Sequence, residues 1–316
     1  MTVRLDDADQ AREIFGLFDR NIGLLEDAFN VRITLSDTEI RIAGEEENCR
    51  KAGAVIEKLV DIAKSGQPVT PQSIHYLVEL AEEDQLDKLS QYLGDTICFT
   101  TSGRPIKPKT YGQKKYVDEI RKNTVTLGIG PAGTGKTFLA VALAVADFKN
   151  KQVNRIVLTR PAVEAGEKLG FLPGDLQNKV DPYLRPLYDA LREMLGLEVY
   201  QRHIEKGLIE VAPLAYMRGR TLDDSFIILD EAQNTTPEQM KMFLTRIGFN
   251  SKAVVNGDIT QIDLPPDKRS GLKEVIRILR NIEGIGMVQL TEKDVVRHEL
   301  VQRIIKAYEA YEARKR

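Results

Sequence analysis

Two kinds of hydrophobic pattern divide the chain. Residues 31–35 and 39–43 alternate between apolar and polar side chains, which predicts two strands of a hairpin joined at 36–38. Elsewhere in the first 95 residues, apolar positions recur at helical spacing and predict helices over 14–29, 52–63 and 71–81. Thr70 and Pro71 are typical of the start of the last of these helices. The front of the chain is therefore predicted to be a small α+β module.

The pattern changes after residue 112, where short apolar runs alternate with helical stretches. This alternation predicts a mostly parallel sheet covered by helices on both faces. The predicted strands are 124–129, 155–159, 209–212, 225–229, 253–255 and 287–290, and the predicted helices include 182–195, 237–246, 271–280 and 299–311. Gly and Pro punctuate residues 96–112, which predicts a strand pair and linker. We therefore expect a domain over 1–95, a linker over 96–112 and an α/β domain over 113–316.

Composition narrows the class of protein. The chain has 316 residues, 42% of them hydrophobic, and a net charge of −2. Residues 1–95 contain 10 Lys and Arg against 20 Asp and Glu, whereas the remainder contains 35 against 27, which predicts two modules with different partners. No apolar run approaches the roughly 20 residues that cross a bilayer, and the first residues do not resemble a secretory signal. We expect a cytoplasmic protein without a membrane partner, whose two cysteines are reduced.

The most specific motif is a glycine-rich stretch between a predicted strand and a predicted helix. It reads Gly130-Pro131-Ala132-Gly133-Thr134-Gly135-Lys136-Thr137, and Phe138 follows it. In that context the pattern predicts a phosphate-binding loop whose backbone N–H groups surround an anion. Lys136 would reach the β- and γ-phosphates of ATP, and the Thr137 hydroxyl would bind Mg²⁺. The alternative is a glycine-rich turn that only starts a helix.

A second motif follows the nearly all-apolar strand 225–229. Asp230 and Glu231 lie at its carboxyl end, where open α/β sheets bind ligands. Asp230 is predicted to hold Mg²⁺ through its water shell, and Glu231 to accept a proton from an attacking water. The alternative is an ordinary turn. The three histidines have no ligand spacing, so Mg²⁺ is the only metal expected.

Further polar side chains are candidates for the same site. Gln261 or Asn256, after strand 253–255, would sense the γ-phosphate or orient water, while Asp258 is a candidate for the site or a turn former. Gln113 lies one helix before the phosphate loop, and its amide would suit the edge of an adenine. Its alternative is a solvated helix start.

The first 95 residues resemble a degenerate KH-like domain, which is a module for single-stranded RNA. The G-x-x-G loop that clamps the RNA backbone in such domains is missing, since Leu24, Leu25 and Glu26 follow Gly23. The net negative charge also opposes phosphate binding. RNA contact and a docking or assembly role both remain open for this module.

Taken together, the motifs of the second module resemble a known family. Asp-Glu-Ala-Gln followed by Gly-Asp-x-x-Gln is similar to the ATPase core of superfamily 1 helicases. More narrowly, residues 130–137, 158–161, 226–233, 256–263 and 294–298 resemble the PhoH-like family, over roughly residues 100–312. The resemblance implies a RecA-like P-loop fold, ATP binding and hydrolysis, a cytoplasmic location and a link to RNA metabolism. The nuclease domain of some relatives is missing, so independent RNA cleavage is not expected.

Efficient ATP hydrolysis would also need an arginine at the site, and the sequence offers candidates for it. Helicases of that superfamily take one from a second lobe, but only about 26 residues follow Leu290, too few for a domain. A neighbouring subunit in a ring would supply it, so a head-to-tail homo-oligomer is expected, and the resemblance implies a hexamer. Arg246, Arg269 and Arg297 are the candidates, with Arg297 preferred, although each has the alternative of a surface charge.

Three arginines near the predicted strands are candidates for contact with nucleic acid. Arg160, Arg218 and Arg220 would line a phosphate backbone, or else form ion pairs with Asp223 and Asp224. The leading hypothesis is thus a Mg²⁺-dependent ATPase that works on or near RNA. A nucleotide-gated assembly module with incidental hydrolysis is the main alternative, and an ATP-dependent kinase is disfavoured because no acceptor pocket is identifiable.

Overall fold

A computed structural model describes residues 1–16, 19–66, 68–84, 86, 95–161, 176–297 and 299–313. The chain divides into two compact units, and each has its own hydrophobic core. The first unit contains Met1–Asp95, Lys109–Tyr111 and Val296–Arg316, and the second contains Thr96–Pro108 and Gly112–Val295. Within the described residues, no helix is long and apolar enough to cross a membrane.

The helices and strands follow one another along the chain. The front of the chain contains β1 (Thr2–Arg4), α1 (Ala8–Phe15), α2 (Arg20–Phe29), β2 (Arg32–Ser36), β3 (Glu39–Ala43), α3 (Glu46–Lys64) and α4 (Pro71–Glu82). The next elements are β4 (Cys98–Phe99), β5 (Pro105–Ile106), α5 (Tyr111–Lys122), β6 (Val125–Ile129), α6 (Lys136–Lys149) and β7 (Arg155–Arg160). The remaining elements are α7 (Leu176–Leu195), α8 (Leu197–Glu205), β8 (Ile209–Pro213), β9 (Ser225–Leu229), α9 (Pro237–Leu244), β10 (Lys252–Gly257), α10 (Gly271–Ile278), β11 (Ile285–Gln289) and α11 (Glu299–Ala313).

The predicted hairpin is confirmed in the first unit. β2 and β3 are antiparallel, Ser36 pairs with Glu39, and Asp37 between them takes a left-handed conformation at φ 55°. β1 was not predicted from the sequence, and it adds to the other edge of β3. The start of α4 is as predicted, because the Thr70 hydroxyl accepts the backbone N–H of Ser73. The single helix predicted over 14–29 is wrong, since α1 ends before Gly16 at φ 73° and α2 begins afresh at Arg20.

The second unit is built on a six-stranded parallel sheet of order β11-β6-β10-β9-β7-β8, within the described residues. The predicted α/β fold class is confirmed. β10 lies between the strand before the glycine-rich loop and the strand before Asp230, as the RecA-like arrangement requires. The strand pair predicted in the linker is also confirmed as the antiparallel pair β4 and β5. Sequence periodicity missed α8 altogether.

Both faces of the sheet are buried, which explains why its central strand is apolar throughout. Phe226 and Ile228 of β9 belong to the core that contains residues of α5, α6 and α7. The alternate residues Ile227 and Leu229 belong to a second core, with residues of α9 and α10. Because the strands are parallel, their carboxyl ends meet at one edge, and polar side chains collect there.

Candidate active site

The glycine-rich loop joins the carboxyl end of β6 to the first residue of α6. Gly133 and Gly135 have φ angles of 87° and 79°, a region that side chains with a Cβ rarely adopt. α6 therefore begins directly out of a tight turn, and the N–H groups of its first turn have no intrahelical acceptor. Such groups, together with the positive end of the helix dipole, suit an anion.

The Lys136 ammonium group is held inside this loop. Its Nζ donates to the carbonyl oxygens of Gly130 at 2.7 Å and Pro131 at 2.8 Å, and it lies 3.3 Å from the Thr134 hydroxyl. The residue is only 8% exposed. The Lys136 ammonium group is thus a buried cation that carbonyl oxygens of the loop hold. It lies in the loop that the sequence predicted to bind phosphates.

Thr137 and Asp230 meet across the site although they are far apart in sequence. The Thr137 hydroxyl donates to Asp230 Oδ1 at 2.7 Å, and Asp230 is almost fully buried at 3% exposure. A hydroxyl and a carboxylate are the hard oxygen donors that Mg²⁺ prefers. The residues present therefore fit a magnesium ion, with Thr137 and Asp230 as the groups that would hold it directly or through water.

The other oxygen of Asp230 is bound by an arginine. Arg160 Nε donates to Asp230 Oδ2 at 2.9 Å, and a terminal nitrogen of the same guanidinium also contacts that oxygen. The terminal nitrogen lies 3.9 Å from Glu231 Oε1. The ion pairs considered from the sequence are wrong for Arg160, because Asp223 and Asp224 precede β9 whereas Arg160 ends the neighbouring parallel strand β7.

The backbone turns away from the direction of β9 at Glu231, which has an unusual conformation. Its φ of 53° is left-handed, which costs a residue with a Cβ about 1–2 kcal/mol. Gln233 Nε2 donates to Glu231 Oε2 at 2.7 Å, and Gln233 Oε1 accepts the backbone N–H of Asp258 at 3.0 Å. The backbone N–H can only donate, so the amide of Gln233 has one possible orientation. Glu231 is thereby attached to the end of β10.

Three buried polar atoms at this edge have no hydrogen-bond partner within the described part of the chain. They are Thr159 Oγ1, Asn256 Nδ2 and Asp258 Oδ2, from the carboxyl ends of β7 and β10. Buried polar groups are normally satisfied by protein, water or a ligand. These unsatisfied atoms are what a site that takes a hydrated polar ligand would show.

The remaining predicted residues occupy different places. Gln113 is 3% exposed and donates to the loop carbonyl of Thr134 at 3.1 Å, so it is not part of a solvated helix start; its contact with adenine stays a prediction. Asn256 is fully buried, and its Oδ1 accepts from the Tyr116 hydroxyl. Gln261 is exposed just beyond β10. Arg297 belongs to the first unit, and its role stays a prediction.

Arg220 and Arg246 have structural partners in the second unit. Arg220 forms two hydrogen bonds with Glu210 at 2.6 and 2.7 Å, which raise the pKa of its guanidinium, so the pairing with Asp223 or Asp224 is wrong here as well. Arg246 donates to the carbonyl oxygens of Met242 and Arg220. Arg246 therefore lies at the edge where β9 begins, opposite the glycine-rich loop.

Comparison with known proteins places the chain in a family. The family model described as PhoH-like protein matches residues 105–309. The PhoH-like protein of Bacillus subtilis (strain 168) is 48% identical over 309 residues, which cover 98% of this chain and 97% of that one. The PhoH-like protein of Mycobacterium tuberculosis (strain ATCC 25618 / H37Rv) is 52% identical over 299 residues, covering 95% of this chain and 85% of the relative.

The chain belongs to the PhoH-like family. The glycine-rich loop, Arg160 and the acid pair of this PhoH-like protein all lie inside the matched region. The Bacillus relative aligns over nearly the whole chain, so the likeness extends into the first unit, which lies largely before the family match. Among solved structures, the Sulfolobus solfataricus SWI2/SNF2 ATPase core in complex with dsDNA aligns at 14% identity and a TM-score of 0.35, covering 58% of this chain and 44% of that one. A likeness of that size supports no conclusion about activity.

Proposed function

We propose that this PhoH-like protein binds ATP with Mg²⁺ and hydrolyses it. The observation that carries the proposal is the 2.7 Å hydrogen bond between Thr137 Oγ1 and Asp230 Oδ1, made directly beside the buried Lys136. It brings a phosphate-loop hydroxyl, an ammonium group and a buried carboxylate to one edge of the sheet. These are the groups that P-loop ATPases use to position a triphosphate and its metal.

Each residue has a separate task in the proposed reaction. Backbone N–H groups of the loop and Lys136 bind the phosphates. Thr137 and Asp230 would hold Mg²⁺, and its charge would neutralise phosphate oxygens. The oxygen of a water forms a bond to the γ-phosphorus as the bond from that phosphorus to the ADP oxygen breaks. Glu231 accepts the proton of this water and returns it to solvent or product. Gln261, exposed beyond β10, is proposed to orient the water.

The wider role is also a proposal. The family resemblance of the motifs supports work on or near RNA and a cytoplasmic location. We also propose a homo-oligomeric ring in which a neighbouring subunit contributes Arg297. The main alternative is a nucleotide-gated assembly module, in which ATP binding matters and hydrolysis is incidental.

The test measures nucleotide affinity and ATP turnover for the full chain, with and without single-stranded RNA or DNA at several salt concentrations. Lys136→Ala should weaken ATP binding about 10- to 100-fold, because it removes charge-assisted hydrogen bonds. Lys149→Ala, at the other end of the same helix, is the matched control and should bind ATP normally. Unchanged affinity in Lys136→Ala would refute the site.

Glu231→Gln separates catalysis from binding. The amide cannot accept the proton, so turnover should fall about 10²- to 10⁴-fold while ATP affinity is kept. A Glu231→Gln variant that turns ATP over at the normal rate would refute the role of Glu231 as base. Loss of turnover with every cellular role retained would favour the gated assembly module instead.

A further inference from the structure

Arg160 is built into the acid pair by the strand order. It is the last residue of β7, and β7 pairs in parallel with β9, so it ends beside Asp230. Its side chain is 14% exposed, while that of Asp230 is 4% exposed. The guanidinium therefore approaches the carboxylate within a nearly closed part of the sheet edge, where electrostatic interactions are weakly screened.

A short chain of contacts joins this arginine to the phosphate loop. Arg160 Nε lies 2.9 Å from Asp230 Oδ2, and the other oxygen of Asp230 lies 2.7 Å from Thr137 Oγ1. Thr137 follows Lys136 in the first turn of α6. The guanidinium is thus two hydrogen bonds from the loop predicted to hold the phosphates.

Arg160 pairs with Asp230 in this structure, and the chemistry of its guanidinium also suits a contact with phosphate. A buried carboxylate needs a cation, and Arg160 supplies it in the arrangement above. In the function proposed above, Mg²⁺ would take the same carboxylate as a ligand, directly or through water. A guanidinium carries a permanent charge, and its planar set of N–H groups suits phosphate oxygens.

We propose that Arg160 is the in-cis cation of the γ-phosphate subsite: it pairs with Asp230 in the absence of nucleotide and contacts the terminal phosphate of bound ATP. The proposal rests on the ATPase function proposed above and names a further residue of that site. It also changes the expectation about assembly, because the charge that an arginine of a neighbouring subunit would supply is already present within the chain.

The experiment measures the affinity of Arg160→Gln for ADP and for a non-hydrolysable ATP analogue, each with Mg²⁺, together with ATP turnover. The analogue should bind about 10-fold or more weaker because a charged hydrogen bond is lost, whereas ADP affinity should change less than about threefold. Turnover should fall by about 10²-fold or more. Arg160→Lys should lie between wild type and Arg160→Gln in analogue affinity, ADP affinity and ATP turnover, since it keeps the charge but loses the planar set of donors. Arg155→Gln, at the exposed start of the same strand, is the matched control and should resemble wild type.

The preference for the ATP analogue over ADP decides the outcome. Loss of Arg160 also leaves Asp230 without its cation, so reduced thermal stability is expected for any role of this residue. Equal weakening of both nucleotides, or no weakening, would overturn the proposal. If Arg160→Gln does not fold, the affinities of Arg160→Lys decide the outcome. An Arg160→Lys variant that prefers the ATP analogue over ADP as strongly as wild type does would overturn the proposal. If wild type and Arg155→Gln bind neither nucleotide, the proposed function itself is refuted.

Discussion

A buried hydrogen bond next to the glycine-rich loop allows a quantitative test of the fold. The Tyr116 hydroxyl donates to Asn256 Oδ1 at 2.5 Å and lies 3.3 Å from the carbonyl oxygen of Lys136, and all three residues are buried. Burial raises the pKa of Tyr116 well above its usual value, so the hydroxyl stays protonated and remains a donor at any working pH. The bond joins α5 to the end of β10 and to the first residue of α6.

Tyr116→Phe removes the donor and leaves a buried acceptor without a partner. Asn256 is 0% exposed, so water cannot replace the hydroxyl without rearrangement, and the expected loss is about 1–3 kcal/mol of unfolding free energy. The double variant Tyr116→Phe with Asn256→Leu also removes the Asn256 amide and should lose less unfolding free energy than Tyr116→Phe alone, because the Asn256 oxygen is no longer buried without its donor.

The assay is native-state hydrogen exchange of backbone amides in β10 and α5, which reports the stability of this unit separately from the other. Tyr216→Phe is the matched control, because Tyr216 is 47% exposed in the same unit and should change stability little. Equal protection in Tyr116→Phe and Tyr216→Phe would refute the reasoning. So would a double variant that loses as much unfolding free energy as Tyr116→Phe alone, or more.

Two further predictions concern stability. Thr70→Ala should destabilise the first unit by about 1 kcal/mol because the cap of α4 is lost, whereas Thr70→Ser should keep most of it; urea unfolding of the two variants measures the difference, and equal midpoints would contradict it. Burial, followed by the charges of Lys206 and Arg202, lowers the pKa of His203, so the folded state favours neutral imidazole. The stabilisation from His203 is present above pH about 6.5 and is lost as pH falls through the lowered pKa. His203→Gln should therefore lose less stability than wild type between pH 7.5 and 5.5, and identical pH profiles would exclude this role.

Local features of the sequence determined the class of fold and the position of the candidate site. Period-two alternation and a short polar connection at 36–38 specify the hairpin of β2 and β3 without reference to the rest of the chain. Glycines that need left-handed angles, placed between an apolar run and a helix, identify the loop at 130–137. Asp230 and Glu231 are found in the same way, since they directly follow an apolar strand.

The partners of the site residues depend on strand order, which local periodicity does not encode. Arg160 contacts an acid 70 positions away because β7 lies beside β9, and Tyr116 bonds to a residue 140 positions away because α5 covers the end of β10. Gln233 likewise joins Glu231 to the N–H of Asp258 only because β9 and β10 are neighbours. The sequence alone therefore determined which chemical groups lie at the sheet edge. Only the tertiary structure decided which of them touch, because those contacts form across strands that are distant along the chain.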